Sequence, residues 1–426
     1  MKRKNFVDIP MVVSMGLLSI VAVVSLTRIL TKPGGSIDFY SYWLPGHFVW
    51  QRMDPYAAAL EKRIPQLPIY YLDGPIATDL TPLYEPMPAN TAPVVLLLSL
   101  LSRVSWDKAF QIWKLINLGL VGVVAWSTVN LFGYKFLSRH GFIVLFILCS
   151  LIATRETLET GQTTLLTLAC MMGAIILGSN RQSISGIFLG IALSKYSLTF
   201  PGALYFLYKR WYRGLIVSGV VQCIGILVIA LIGRTTPITV VDEYVQIMLK
   251  HVELPGMHLS AALLASLGPY ASAIQWFLTL GLVLTLLYWY YTHRPLDQDD
   301  GLAVPILLLI ITMQWNLLIF YHRRYDHVAE ILFLAVIMLW TGQRSDRFRL
   351  SIKERFALQG FAVLAATLWI LPLYYLLGTS LYTKLFSLCS LIALVVSVFL
   401  LFRTAPSHTA RINPGTEQMN DGTVLP

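Results

Sequence analysis

Charge is what this 426-residue chain has least of. Only 13% of its residues are Asp, Glu, Lys or Arg, while 56% are hydrophobic and the mean hydropathy is +0.66. Soluble globular chains carry about 25% charge and roughly 45–50% apolar residues. The deficit excludes a soluble enzyme and a disordered chain. Cysteine is scarce too: Cys149, Cys170, Cys223 and Cys389 all lie in apolar runs, and no Cys-x-x-Cys pair occurs. They read as small buried hydrophobes, which excludes a disulfide scaffold and a zinc motif. Gly-x-Ser-x-Gly, Walker-type and His-Glu-x-x-His motifs are absent, as is any internal repeat of the kind common in secondary transporters.

What is present is a succession of apolar runs, each long enough to cross a hydrocarbon core of about 30 Å as a helix. Crossings are expected near 10–30, 107–132, 141–154, 161–178, 214–233, 272–291, 302–320, 327–341, 357–377 and 384–402. The first follows Lys2-Arg-Lys4 and continues through Arg28 and Lys32, too long for a cleavable signal core, so it reads as a retained anchor. The fold class is therefore all-α: a polytopic transmembrane bundle of about 10 crossings with re-entrant or broken helices. Residues 183–208 are expected to enter the membrane and return, because Lys195 divides them into two segments of about twelve residues, only ~18 Å each. Residues 1–403 read as one membrane domain, whose proline- and aromatic-rich outer loop 32–91 packs on the membrane face. The polar tail 404–426 is expected to be cytoplasmic and disordered.

The net charge of +10 reports this topology rather than a nucleic-acid partner. With the N-terminus inside, the inner side holds 17 Lys/Arg against 8 Asp/Glu, and the outer side 14 against 14. That is the positive-inside pattern, with both termini cytoplasmic.

Ionisable groups near the membrane are costly and tend to have a task. Here they gather on the outer side: Asp38; Arg155, Glu156 and Glu159; the acids and histidines of 234–258; and Tyr321-His-Arg-Arg-Tyr-Asp-His327. Each also has a plain structural reading. Asp38 suits a helix N-cap, Arg323 and Arg324 suit snorkelling to headgroups, and Lys195 suits capping of carbonyls freed by a helix break. His327 and Glu330 share a helix face, but no second motif completes a metal site, and neither metal nor cofactor is assigned.

Asp38-Phe-Tyr-Ser-Tyr followed by Asp54-Pro-Tyr56 resembles the opening signature of glycosyltransferase family 87, polytopic enzymes of the GT-C class. The resemblance continues in order through Tyr84-Glu-Pro-Met with Pro93, Trp113 and Asn117, Gly161-Gln162, the stretch Gly186 to Trp211 around Lys195, and Arg324-Tyr-Asp-His327. It spans roughly residues 10–340, with Arg52-Met53 standing where the family has Gly and Tyr325 where it has Trp. It implies a GT-C-like fold, a polyprenyl-phosphate sugar as donor, a glycan or glycolipid hydroxyl as acceptor, and work on the non-cytoplasmic face of a prokaryotic plasma membrane. The expected roles are Asp38 as general base of an inverting hexosyl or pentosyl transfer, Arg323, Arg324 and His327 on the donor phosphate, and Tyr42 and Gln162 on substrate hydroxyls or phosphate. Lys195 is either a phosphate contact or structural. A transporter or flippase of lipid-linked sugars is the competing reading. It requires ionisable groups along a path open to both sides, and the one-sided clustering disfavours it. A non-catalytic assembly subunit, in which Asp38 would be replaceable, is a third.

Overall fold

The computed structural model describes residues 37–61, 90–253, 270–293, 303–319, 324–340, 350–370 and 379–404, with isolated positions 20, 23, 24, 27, 70, 71, 74, 75 and 377. These residues are almost entirely helical. The only strand pairing among them is Tyr70–Tyr71 antiparallel to Gly74–Pro75.

Part of the stretch read as an outer loop is helix. α1 (Ile37–Trp50) buries Phe39, Tyr40, Tyr42, Leu44 and Phe48. α2 (Pro55–Leu60) starts where a helix should: Pro55 fills the first position and Asp54 accepts from Tyr56 N (2.8 Å) and Ala57 N (3.3 Å). α3 (Ala92–Ser99) runs into a 3₁₀ turn, Leu100–Arg103, and both pack against α1. α4 (Trp106–Leu131) crosses α5 (Arg139–Ser150) and α7 (Thr164–Leu177), with the short α6 (Ile152–Thr160) between them.

Five described helices are long and apolar enough to cross a membrane: Trp106–Leu131, Gln182–Tyr208, Tyr212–Gly233, Ala273–Thr292 and Leu381–Phe402. A sixth results if α5 and α6, which meet at 60°, form one broken span. The other expected crossings are shorter apolar helices (Thr164–Leu177, Val304–Ile319), a 3₁₀, α and π succession over 324–340, the helix Ile352–Ile370, or, for 10–30, a segment almost wholly outside the described residues.

The 183–208 segment corrects the re-entrant expectation. α8 (Gln182–Ala192) and α9 (Tyr196–Tyr208) are joined by a single 3₁₀ turn, Leu193–Lys195, and together form one run long enough to cross. They do not fold back on each other: α8 packs chiefly on α7 and on α10 (Tyr212–Gly233), whereas α9 packs chiefly on α13 (Ala303–Ile319), touching α7 and α10 less. Side chains repair both interruptions. Thr199 Oγ1 donates to Ala192 O (2.7 Å) and Lys195 O (3.1 Å) at the 3₁₀ turn. Pro201 removes the N–H that Ser197 O would accept, and Asn316 Nδ2 from α13 donates there instead. The α8–α10 crossing is close because Gly186 and Gly190 face it. A Cβ on Gly186 would lie 2.5 Å from Gly214 O, and one on Gly190 2.7 Å from Val221 Cβ.

Candidate functional site

One turn organises the polar residues of the bundle. Gly161 ends α6 at φ +71°, a left-handed cap natural to glycine. A Cβ there would lie 2.7 Å from Phe39 Cβ and 2.9 Å from Phe110 Cε2. Its carbonyl accepts from Trp113 Nε1 at 2.7 Å. The turn is thus clamped between α1 and α4. The next three residues each reach a different part of the chain. Gln162 Oε1 accepts from Tyr42 OH at 2.5 Å, with both side chains buried. Thr163 Oγ1 donates to Asn90 Oδ1 at 3.4 Å, and Asn90 O in turn accepts from Tyr56 OH at 3.0 Å. Thr164 Oγ1 donates to Asp326 Oδ1 at 2.8 Å.

Lys195 completes this seam. Its Nζ lies 2.5 Å from Asp326 Oδ1 and 2.7 Å from Thr164 Oγ1. The pair is asymmetric: 14% of the lysine side chain is exposed against 4% of the aspartate. At the helix break, Ala192 O is taken by Thr199 Oγ1, Gly190 O by Gln222 Nε2 and Ser194 O by Thr91 N. Next to the lysine, Ser194 ties back to Thr91 through a hydroxyl pair (3.0 Å) and a backbone bond (3.3 Å).

Asp38 and Tyr42 stand four residues apart in α1 and so share a helix face. Asp38 is partly buried and sits inside the first turn, where a carboxylate also suits the helix dipole. Of the sequence-derived set, Tyr42 and Gln162 meet directly, and Lys195 joins the same seam through Thr164. His327 belongs to a neighbouring constellation. Its ring is buried edge-on against Phe386 (4.7 Å), with Nδ1 3.6 Å from Glu330 Oε1. Gln314 Nε2 lies 3.4 Å from Glu330 Oε2, and Ser397 Oγ donates to Gln314 Oε1 at 2.9 Å. The 3₁₀ geometry of Arg324–Glu330 explains the split, since residues i and i+3 eclipse while neighbours diverge. Arg323 lies outside the described residues, as does the side chain of Arg324. No group of three or more His, Cys, Asp or Glu placed to hold a metal occurs among the described residues.

A second charged feature flanks the seam. α11 (Pro237–Glu253) packs on α2, with the Tyr56 and Tyr244 rings 5.5 Å apart. There the Asp54 and Glu243 carboxyls come close enough for each to act on the other's titration. Burial raises both; Asp54 is drawn back by its two backbone N–H donors, while burial and then the Asp54 charge push Glu243 up to about 7.

Thr164 and Asn90 were not singled out from sequence; Asp326 was seen only as part of the Tyr321–His327 cluster, and Glu330 only as half of an incomplete metal site. One signal bore on Asp326: a lysine inside an apolar run needs a counter-charge, though several acids border the apolar runs. A model of glycosyltransferase family 87 matches residues 90–320, more than half of the chain. No curated protein and no solved structure matches it.

Proposed function

The chain belongs to glycosyltransferase family 87 and is thus a membrane glycosyltransferase, and from that premise we propose the reaction it performs. It transfers a hexose or pentose from a polyprenyl-phosphate sugar to a hydroxyl of a glycan or glycolipid, at the non-cytoplasmic face of the plasma membrane, with inversion at the anomeric carbon. The observation that carries this reading is the buried polar seam Tyr42–Gln162 and Thr164–Lys195–Asp326, which brings a lysine and an aspartate together among apolar helices.

The acceptor hydroxyl attacks the anomeric carbon from the face opposite the phosphate. Asp38 takes its proton, the bond between that carbon and the phosphate oxygen breaks, and polyprenyl phosphate departs with the electron pair. A positioned base contributes about 10²–10⁴ in rate. Charge grows on the leaving phosphate, and preorganised cations lower the barrier most where that happens. Lys195 is the cation assigned to it, with Arg323 and Arg324 as further phosphate contacts. Gln162, its oxygen occupied by Tyr42, keeps its amide donors for sugar or phosphate oxygens. The polyprenyl tail lies between helices among the exposed apolar side chains of the spans.

The direct test is to incubate the purified protein with a panel of radiolabelled polyprenyl-phosphate sugars and extracted glycolipid acceptors. Radiolabel passing to an acceptor with inverted configuration is the expected result. Transfer with retained configuration, or none with any donor, would count against the reading.

A further inference from the structure

A lysine and an aspartate 131 residues apart in the chain meet at 2.5 Å inside this bundle, and the question is what the pair is for. Stability is a weak reason. Two well-packed apolar side chains of similar volume hold helices together as well as a buried ion pair, or better. The helix break has its own donors: Thr199 on Ala192 O, Gln222 on Gly190 O and Thr91 N on Ser194 O. The arrangement itself is more informative. Lysine is a point charge on a flexible four-carbon stem, yet here two contacts fix its end. Asp326 Oδ1 receives both the ammonium and the Thr164 hydroxyl, so the three groups form a closed triangle with sides of 2.5, 2.7 and 2.8 Å. The carboxylate is the sealed member and the ammonium the more exposed one. Thr164 belongs to the turn that also holds Gln162 on Tyr42, so the fixed charge is referenced to the same frame as the rest of the seam.

We infer that Asp326 is a positioning residue which, with Thr164, sets the Lys195 ammonium where the donor's phosphate gains charge as the glycosidic bond breaks. The inference rests on the glycosyl-transfer reading above. The donor is a phosphodiester and the released polyprenyl phosphate a monoester carrying more charge. A charge held in place therefore matters more to the transition state and to the product than to donor binding.

The experiment uses the full chain in nanodiscs, with the donor found active in the panel and with polyprenyl phosphate itself. Asp326→Asn keeps the shape and removes the counter-charge. It should lower kcat by about 10²-fold while donor KM moves less than about threefold, the mark of an interaction made only in the transition state. Its affinity for polyprenyl phosphate should fall about tenfold. Thr164→Val keeps the volume and both charges, and should lower kcat about tenfold with an unchanged melting temperature. The double variant Lys195→Met/Asp326→Leu separates the roles. Positioning predicts a folded protein, as stable as the wild type, that does not turn over. A double variant transferring sugar at the wild-type rate would overturn the inference, as would unchanged polyprenyl-phosphate affinity in Asp326→Asn. If the wild type transfers nothing yet binds polyprenyl phosphate through this triangle, the glycosyl-transfer reading has failed and the placement of the ammonium stands.

Discussion

Asp38 lies one helical turn before Tyr42 in a helix whose opposite side is packed with aromatic rings, and its role separates from mere helix stabilisation by one isosteric change. Asn suits a helix start as well as Asp, so Asp38→Asn should fold normally. As the base that accepts the hydroxyl proton, it should lose at least about 10²-fold in transfer. Wild-type turnover in that variant would remove Asp38 from the chemistry. Tyr42→Phe tests the other end of this face. It leaves Gln162 Oε1 without the donor it has at 2.5 Å, and should cost about 1–3 kcal/mol in a thermal melt. Asp38, Tyr42, Gln162 and Lys195 were legible because they sit in ordered motifs or interrupt apolar runs. Asp326 was not assigned to Lys195, because periodicity and spacing say nothing about which of several bordering acids crosses 131 residues to meet a given cation.

Two elements carry their own tests. The α8–α10 crossing depends on glycine, since a Cβ on Gly186 would press on Gly214 O and Val217 Cβ at 2.5 and 2.7 Å. Gly186→Ala should therefore part the helices and destabilise the protein by about 1–3 kcal/mol, read as a lower melting temperature in detergent. α11 packs on α2 with the Glu243 carboxyl facing the negative charge of Asp54, Glu61 and Asp242, with Tyr56, Tyr244 and Tyr196 nearby, and Arg234 at the end of α10. The folded pKa of Glu243 is raised, so the folded form binds the extra proton. The stabilisation it brings is complete below 4.5 and is lost as pH rises through about 7. Hydrogen exchange of 51–60 and 237–253, corrected for intrinsic rates, should speed up across that window in the wild type. Glu243→Gln, which carries no charge at any pH, should abolish the change; an identical pH response in that variant would exclude Glu243 as the cause. The sequence displayed the break at Lys195 and Pro201 but not its direction. A lysine between two short apolar segments and a following proline were read as a reversal, and the groups that let the helix continue, Thr199 and Asn316, lie beyond the range of local pattern.

At the scale of the whole chain, the continuous Gln182–Tyr208 run alters which ends share a side. Single cysteines replacing Asn180 and Lys209, in a background lacking the native four, should label from opposite sides of a sealed vesicle with an impermeant thiol reagent. Labelling from one side would restore the re-entrant hairpin. All-helical architecture was legible from composition and run length alone; the number of crossings was not, because helices such as Thr164–Leu177 and Val304–Ile319 are too short for hydropathy to tell a span from a half-span. The Lys195–Asp326 contact also has a meaning in time. A ribosome adding about 5–20 residues per second needs roughly 7 to 26 s to travel from one partner to the other. For that interval the nascent chain holds a membrane-buried cation whose anion has not been made. The helices between them must enter the bilayer before the debt is cancelled, so insertion of the first half of this protein is provisional until residue 326 leaves the ribosome.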